Sequence, residues 1–360
     1  MVFTIITLPI TILFIVMGLS QLFYAIKLKR RFPKEHNFYN SIIVVLLWIV
    51  TGIIYPFFYM EDNEHVRFHQ AFSMSIICIY SLLLIFSILI YQRRVVLKDR
   101  PYLKQNRTLA KFLEKYELTN VKQNNNKSYS LRTDFHRKLF HLIPAGVIII
   151  LWNFSVHIWE GVWHADQVWG ITGHDFGMFL ILTIGYTGVM LFAALDFIRL
   201  SYIFENRNIY HLLPDSLSNL LIKALRRNEI YEFTKTVMLV LSMVPLLFLP
   251  FGIFAAAVLI TSIGDAFASL VGVAFGRHHF PKNSNKTIIG YIAGFLASFG
   301  VSLFALFLFE PDLLPFKVIV ISLSGGIVFL IIDLLSLKID DNILNPIFCG
   351  IIMTFFYFIL

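Results

Sequence analysis

Charge and cysteine are both scarce in this chain. Charged residues make up only 14% of it, against roughly 25% in a soluble globular domain. Its two cysteines, Cys78 and Cys349, each sit inside a hydrophobic run. Two isolated thiols exclude a disulfide framework and a cysteine zinc site. No GxxxxGK[ST] loop occurs, which excludes a P-loop phosphate cradle. No internal repeat occurs either, so an inverted-repeat transporter has no support. What fills the chain is apolar: 58% of 360 residues are hydrophobic and the mean hydropathy is +0.74. The chain therefore reads as an all-α, polytopic membrane protein. Its formal net charge of +8 does not point to nucleic acid. The cations flank apolar runs, where their first role is to set orientation.

A helix needs about 20 apolar residues to cross a bilayer. Ten spans are expected, at about 3–25, 40–60, 70–91, 139–157, 176–198, 236–250, 252–275, 288–309, 317–337 and 343–360. The first is read as a span, with no cleavable leader. Of the 30 Lys and Arg, 28 fall in the segments 26–39, 92–138, 199–235, 276–287 and at Lys338, and only Arg67 and Lys317 lie in the alternate loops. That bias predicts cytoplasmic basic loops and external N- and C-termini, consistent with an even number of spans. Polarity divides the chain into a three-span region (1–91), a basic cytoplasmic linker (92–135) and a seven-span region (136–360). Part of the linker, around the run QNNNKS, is expected to be flexible.

Five polar clusters stand on the basic side. His136-Arg137-Lys138-Leu139-Phe140-His141 opens the fourth span. A positive flank explains its Lys and Arg but not its two His. Asp196 and Arg199, three apart, share a helical face, as a salt bridge or near a substrate path. Arg226-Arg227-Asn228-Glu229, with Thr234 and Lys235, suits an amphipathic surface helix or a site. From Gly264 to Gly290 the chain carries Asp265 inside an apolar run, then a loop with Arg277, His278, His279, Lys282 and Lys286. Gly264, Ala268 and Gly272 form a small-residue stripe for close helix packing. Packing does not explain Asp265, because a carboxylate in a membrane helix is costly and is by default a functional-site hypothesis. Cations and free N–H groups where Lys286-Thr287 begins the eighth span suit phosphate. Asp340-Asp341-Asn342 suits a hydrophilic turn or a hard cation, and Asp333 is a further carboxylate in the ninth span. On the other side, Trp152, Trp159, Trp163 and Trp169 read as an interfacial belt, interleaved with His157, His164 and His174.

The order of these residues resembles the polyprenol kinase family of CTP-dependent dolichol, phytol and diacylglycerol kinases. The family pattern D-x-x-A-x-x-x-G, then F-G, then a basic loop, then K-[ST]-x-E-G, is matched by Asp265, Ala268, Gly272, Phe275-Gly276, Lys286-Thr287 and Gly290. The resemblance extends to Arg137-Lys138 with His141, Asp196 with Arg199, Arg226 with Glu229, and Asp341-Asn342 with Pro346, and covers about 136–360. It departs at Ile289, where the family has Glu, and at Asp333, where Glu is usual. The three leading spans are more like dolichol kinases.

The resemblance implies an integral membrane lipid kinase that moves a phosphoryl group from CTP to dolichol or a related polyprenol at the cytoplasmic face. The membrane is the endoplasmic reticulum in a eukaryote and the cell membrane in a prokaryote. Asp265 and Asp341 would hold Mg²⁺, with Asn342 completing or orienting its shell. Gly264, Arg277, Lys286, Thr287, Arg137, Lys138 and His141 would bind the nucleotide. Asp196 or His136 would act as base, with Arg199 beside them. The alternatives are a CTP:lipid-phosphate cytidylyltransferase, which attacks the α-phosphate and releases pyrophosphate, and an ion-coupled transporter using Asp196, Asp265 and Asp333.

Overall fold

Apolar runs without internal charge can satisfy their backbone groups in hydrocarbon only as helices, and every described element is helical. The computed structural model describes residues 3–59, 64–124, 127–225, 227–281 and 286–360. Backbone alone is described at 119–124, 127–134, 136–137, 140–141, 223–224 and 228. Among the described residues nine helices are long and apolar enough to cross a membrane. They are Leu8–Arg31, Phe38–Tyr59, Glu64–Lys98, Leu142–Glu160, Gly173–Phe204, Phe251–Phe275, Ile288–Phe309, Pro315–Leu335 and Asp341–Ile359. The linker is largely helical, with Pro101–Asn106, Leu109–Asn124 and the start of Lys127–Asn153; of the QNNNKS run, the part expected to be flexible, Asn125 and Asn126 lie outside the described residues.

The chain forms two compact units, 1–127 with 151–237, and 128–150 with 238–360. In the first, Leu8–Arg31 and Phe38–Ile54 pack closely because glycine stands at their contacts. A Cβ on Gly18 would fall 3.0 Å from that of Trp48, and one on Gly52 only 2.8 Å from that of Phe14. Polar pairs reinforce the contact: Thr11 donates to the Gly52 carbonyl (2.8 Å) and Trp48 Nε1 to Gln21 Oε1 (2.7 Å). The long helix Gly173–Phe204 belongs to this bundle. Tyr186 donates to the Thr51 carbonyl (2.9 Å) and Thr183 to Ser73 Oγ (2.9 Å). Polarity along the chain set the three leading spans apart, but interhelical hydrogen bonds and aromatic packing join them to this fifth span. Phe14, for example, lies 4.7 Å from Tyr186 between ring centroids.

The expected 236–250 span, which belongs to the second unit from Met238 on, is short. It is an α-helix Lys235–Met243 of 9 residues and a 3₁₀ turn Val244–Phe248 of 5 residues, followed by extended Leu249 and Pro250. Rises of about 1.5, 2.0 and 3.3 Å per residue bring this to about 30 Å, the thickness of a hydrocarbon core. Its contacts agree. Ser242 donates to the Asn342 carbonyl (2.9 Å), Leu246 rests on Gly350, and the Gly252 N–H donates to Glu310 Oε1 (2.9 Å). Glu310 Oε2 also accepts from Tyr357 (3.3 Å), near the far end of Asp341–Ile359. From Ser242 onward the chain therefore follows the last helix from its first turn toward its last, and the tighter, partly extended backbone makes up for missing residues.

Candidate functional site

Phe251–Phe275 is not a regular α-helix. A π-helical turn, Ile260–Gly264, interrupts it just before Asp265, a distortion often found at functional sites. Beyond the turn, small residues let it lie against Ile288–Phe309. A Cβ on Gly290 would stand 2.7 Å from the Ala268 carbonyl oxygen and 3.2 Å from Gly272 Cα, and one on Gly294 would stand 2.7 Å from Ala268 Cβ. Gly264 is buried against Ser298 and the Phe329 ring, so its missing side chain serves helix packing.

The loop after Gly276 is pinned to the next helix. Ile288 N–H donates to the His278 carbonyl (3.1 Å), Phe280 N–H to the Lys286 carbonyl (3.1 Å), and Tyr291 to the Phe280 carbonyl (2.9 Å). Thr287 caps the helix by accepting from Gly290 N–H (3.2 Å). Arg277, His278 and His279 are exposed, and Lys282 lies outside the described residues.

Four elements of the second unit bring charge to this end of the bundle. Lys138, on Lys127–Asn153, forms an ion pair with Asp265, their side chains 6% and 20% exposed. Lys286 Nζ donates to Asp333 Oδ1 (2.6 Å) and to the Asp333 carbonyl (2.8 Å). Asp333 also feels the charges of Asp265 and Asp341, so three carboxylates and two ammoniums share the site. Asp340 is the N-cap of the last helix, accepting from Asn342 N (3.0 Å) and Nδ2 (2.6 Å). Asp341 follows in the first turn, where Asn342 Nδ2 also reaches its carboxylate (3.3 Å). Pro346 has no N–H to offer the Asn342 carbonyl, and Ser242 fills that place.

Asp196 and Arg199 belong to the first unit and form a closed clamp. Asp196 Oδ1 accepts from Arg199 Nε (2.8 Å) and the Thr234 hydroxyl (3.0 Å), and Oδ2 accepts from Thr234 N–H (2.8 Å). Arg199 also donates to the Ile230 carbonyl (3.1 Å) and to that of Glu232. Both oxygens of the carboxylate are occupied, and the pair's evident work is to fold residues 229–234 onto the helix. Lys235 and Glu229 stand 3.8 Å apart. Arg226 and the side chains of His136, Arg137 and His141 lie outside the described residues.

The structure thus joins Lys138, Asp265, Lys286, Thr287, Asp341 and Asn342, and two further residues stand out. One is Asp333, which the sequence marked as an intramembrane carboxylate at a position where the resembling family usually has Glu. The other is Asn345, 2% exposed, whose Oδ1 has no hydrogen-bond partner. Its signal was its place four residues after Asp341, on the same helical face. Among the described residues no group of three or more His, Cys, Asp or Glu stands ready to hold a metal ion. The chemistry still fits Mg²⁺, which is commonly bound by one or two carboxylates together with substrate phosphates and water. No protein-family model, curated protein or solved structure matches this chain.

Proposed function

We propose that the protein is an integral membrane lipid kinase that transfers the γ-phosphoryl group of CTP to the hydroxyl of a membrane lipid alcohol, dolichol or a related polyprenol, at the cytoplasmic face. The observation that carries this reading is the meeting of Asp265, Asp333 and Asp341 with Lys138 and Lys286 beside a basic loop pinned to a capped helix start. Phosphoryl transfer needs in-line positioning and neutralisation of charge more than covalent help, and this is what such a cluster supplies. Asp265 and Asp341 would hold Mg²⁺, whose chemistry is to neutralise the β- and γ-phosphates. Lys138, Lys286, the Thr287 helix start and exposed Arg277 would bind the phosphate oxygens. The alcohol oxygen attacks the γ-phosphorus, its bond to the CDP oxygen breaks, and the alcohol proton passes to solvent or to His136.

The test uses CTP labelled at the γ-phosphate with the purified protein and a panel of lipid alcohols. Label in the lipid supports the kinase. Label only in pyrophosphate rejects it in favour of a cytidylyltransferase. One observation favours a second reading, an ion-coupled transporter: Asp265 starts an 11-residue segment that ends at Phe275, about 15 Å inside the helix end. Ion flux in proteoliposomes that is lost in Asp265→Asn, with CTP-dependent phosphorylation intact, would establish it.

A further inference from the structure

Two carboxylates of the second unit, Asp265 and Asp333, already have cations on them, and these belong to the chain. Lys138 is held on Asp265 and Lys286 on Asp333, while Asp341 acts on the same Asp333 from the last helix. Asn345 adds a different kind of observation, a buried carboxamide oxygen with no donor. Its depth follows from its neighbours. Cys349 Sγ donates to the Gly325 carbonyl (3.6 Å), so one turn back along the last helix places Asn345 level with Phe329. The Phe329 ring lies against Gly264, the neighbour of Asp265. A neutral oxygen left unpaired in an apolar interior is costly, and it stands at the depth of the carboxylate that Lys138 neutralises.

We infer that Lys138 is a displaceable counter-cation. A divalent cation takes Asp265 from it, with Asp341 and the Asn345 oxygen as further ligands, and the released ammonium turns to the incoming phosphate. A lysine ammonium is a compact charge on a flexible stem with no required coordination geometry, so it can hold a carboxylate and let it go. A divalent cation brings twice the charge and prefers hard oxygen ligands. In this exchange Lys138 holds Asp265, and Lys286 holds Asp333, until metal arrives. It rests on the proposed metal–nucleotide reading of this site and adds an order to it, metal on Asp265 coupled to release of Lys138.

The experiment titrates the full-length protein in detergent with Mn²⁺ alone, followed by electron paramagnetic resonance and by thermal unfolding. Removing the competitor in Lys138→Gln is expected to tighten Mn²⁺ binding about tenfold or more, the worth of one hydrogen bond to a charged group. The same variant binds CTP more weakly. Lys138→Arg, whose fork grips a carboxylate harder, binds Mn²⁺ more weakly than the parent, which keeps the test open if Lys138→Gln does not fold. Asp265→Asn loses the Mn²⁺ site, and Asn345→Leu weakens it. Equal Mn²⁺ affinity in the parent and both Lys138 variants overturns the inference. The metal titration is independent of turnover: Mn²⁺ binding in the expected order without phosphoryl transfer from CTP would sink the kinase reading and leave the exchange standing.

Discussion

Gly290→Ala tests whether the contact between Phe251–Phe275 and Ile288–Phe309 sets the site. The added methyl carbon would stand 2.7 Å from the Ala268 carbonyl oxygen, where ordinary contact begins at 3.4 Å, and 3.2 Å from Gly272 Cα. Both neighbours are backbone atoms, so no rotamer change relieves the clash and the helices must separate by about 0.7 Å. Overpacking of this kind costs about 1–3 kcal/mol, and alanine's better helix propensity returns up to about 1 kcal/mol. The net loss is about 1–2 kcal/mol, a factor of roughly 5–30 in the folded-to-unfolded ratio. The same displacement moves Thr287 and Lys286 away from Asp265, and a misplacement near 1 Å can cost about 10²-fold in rate. Thermal unfolding in detergent and CTP-dependent lipid phosphorylation read the two effects. Gly264→Ala is the control, because its nearest obstacle is the movable Ser298 hydroxyl. An unfolding midpoint in Gly290→Ala at or above that of the parent would refute the close-approach argument.

Three further outcomes are expected. Asp265→Asn and Asp341→Asn each abolish transfer of γ-label from CTP to lipid while keeping the helical circular dichroism spectrum; retained activity in either removes that residue from the proposed metal set. Arg199→Ala leaves the Asp196 side chain, 2% exposed, without its cation, and destabilises the protein by about 3–5 kcal/mol, read as a lowered unfolding midpoint. The third concerns pH. Burial pushes the His36 imidazole below its usual range, and the nearby charge of Lys29 adds to this against an opposing hydrogen bond with the Tyr231 carbonyl. The unfolded chain therefore binds the proton more readily, so His36 favours the folded state above the unfolded value of about 6.5 and loses that contribution as pH falls through it. His36→Asn removes the titration, and unfolding midpoints between pH 5 and 7.5 should depend less on pH than in the parent.

Charge scarcity and apolar run length were enough to read an all-α membrane protein, because a backbone in hydrocarbon has almost no other way to satisfy its hydrogen bonds. Asp265 was legible as a candidate site residue from its sequence place alone, being a charge where burial is costly. The 236–250 segment was harder. Whether so short a segment crosses depends on 3₁₀ and extended backbone that hydropathy does not report. Asp196 and Arg199, sharing a helical face, read as a salt bridge or as part of a substrate path; the salt bridge forms, but the backbone groups of residues 230–234 that complete the clamp are not visible from side-chain spacing.

The sequence by itself determined that helices form, roughly where they lie, and which polar residues have no ordinary place among them, since those follow from local composition and period. Only the tertiary structure decided which charges meet. Lys138 and Asp265 are separated by 127 positions and Lys286 and Asp333 by 47, and nothing local couples them. Helix packing at Gly290 and Gly294, the π turn before Asp265 and the Thr287 cap aim these side chains at one another, turning scattered charges into a single candidate site.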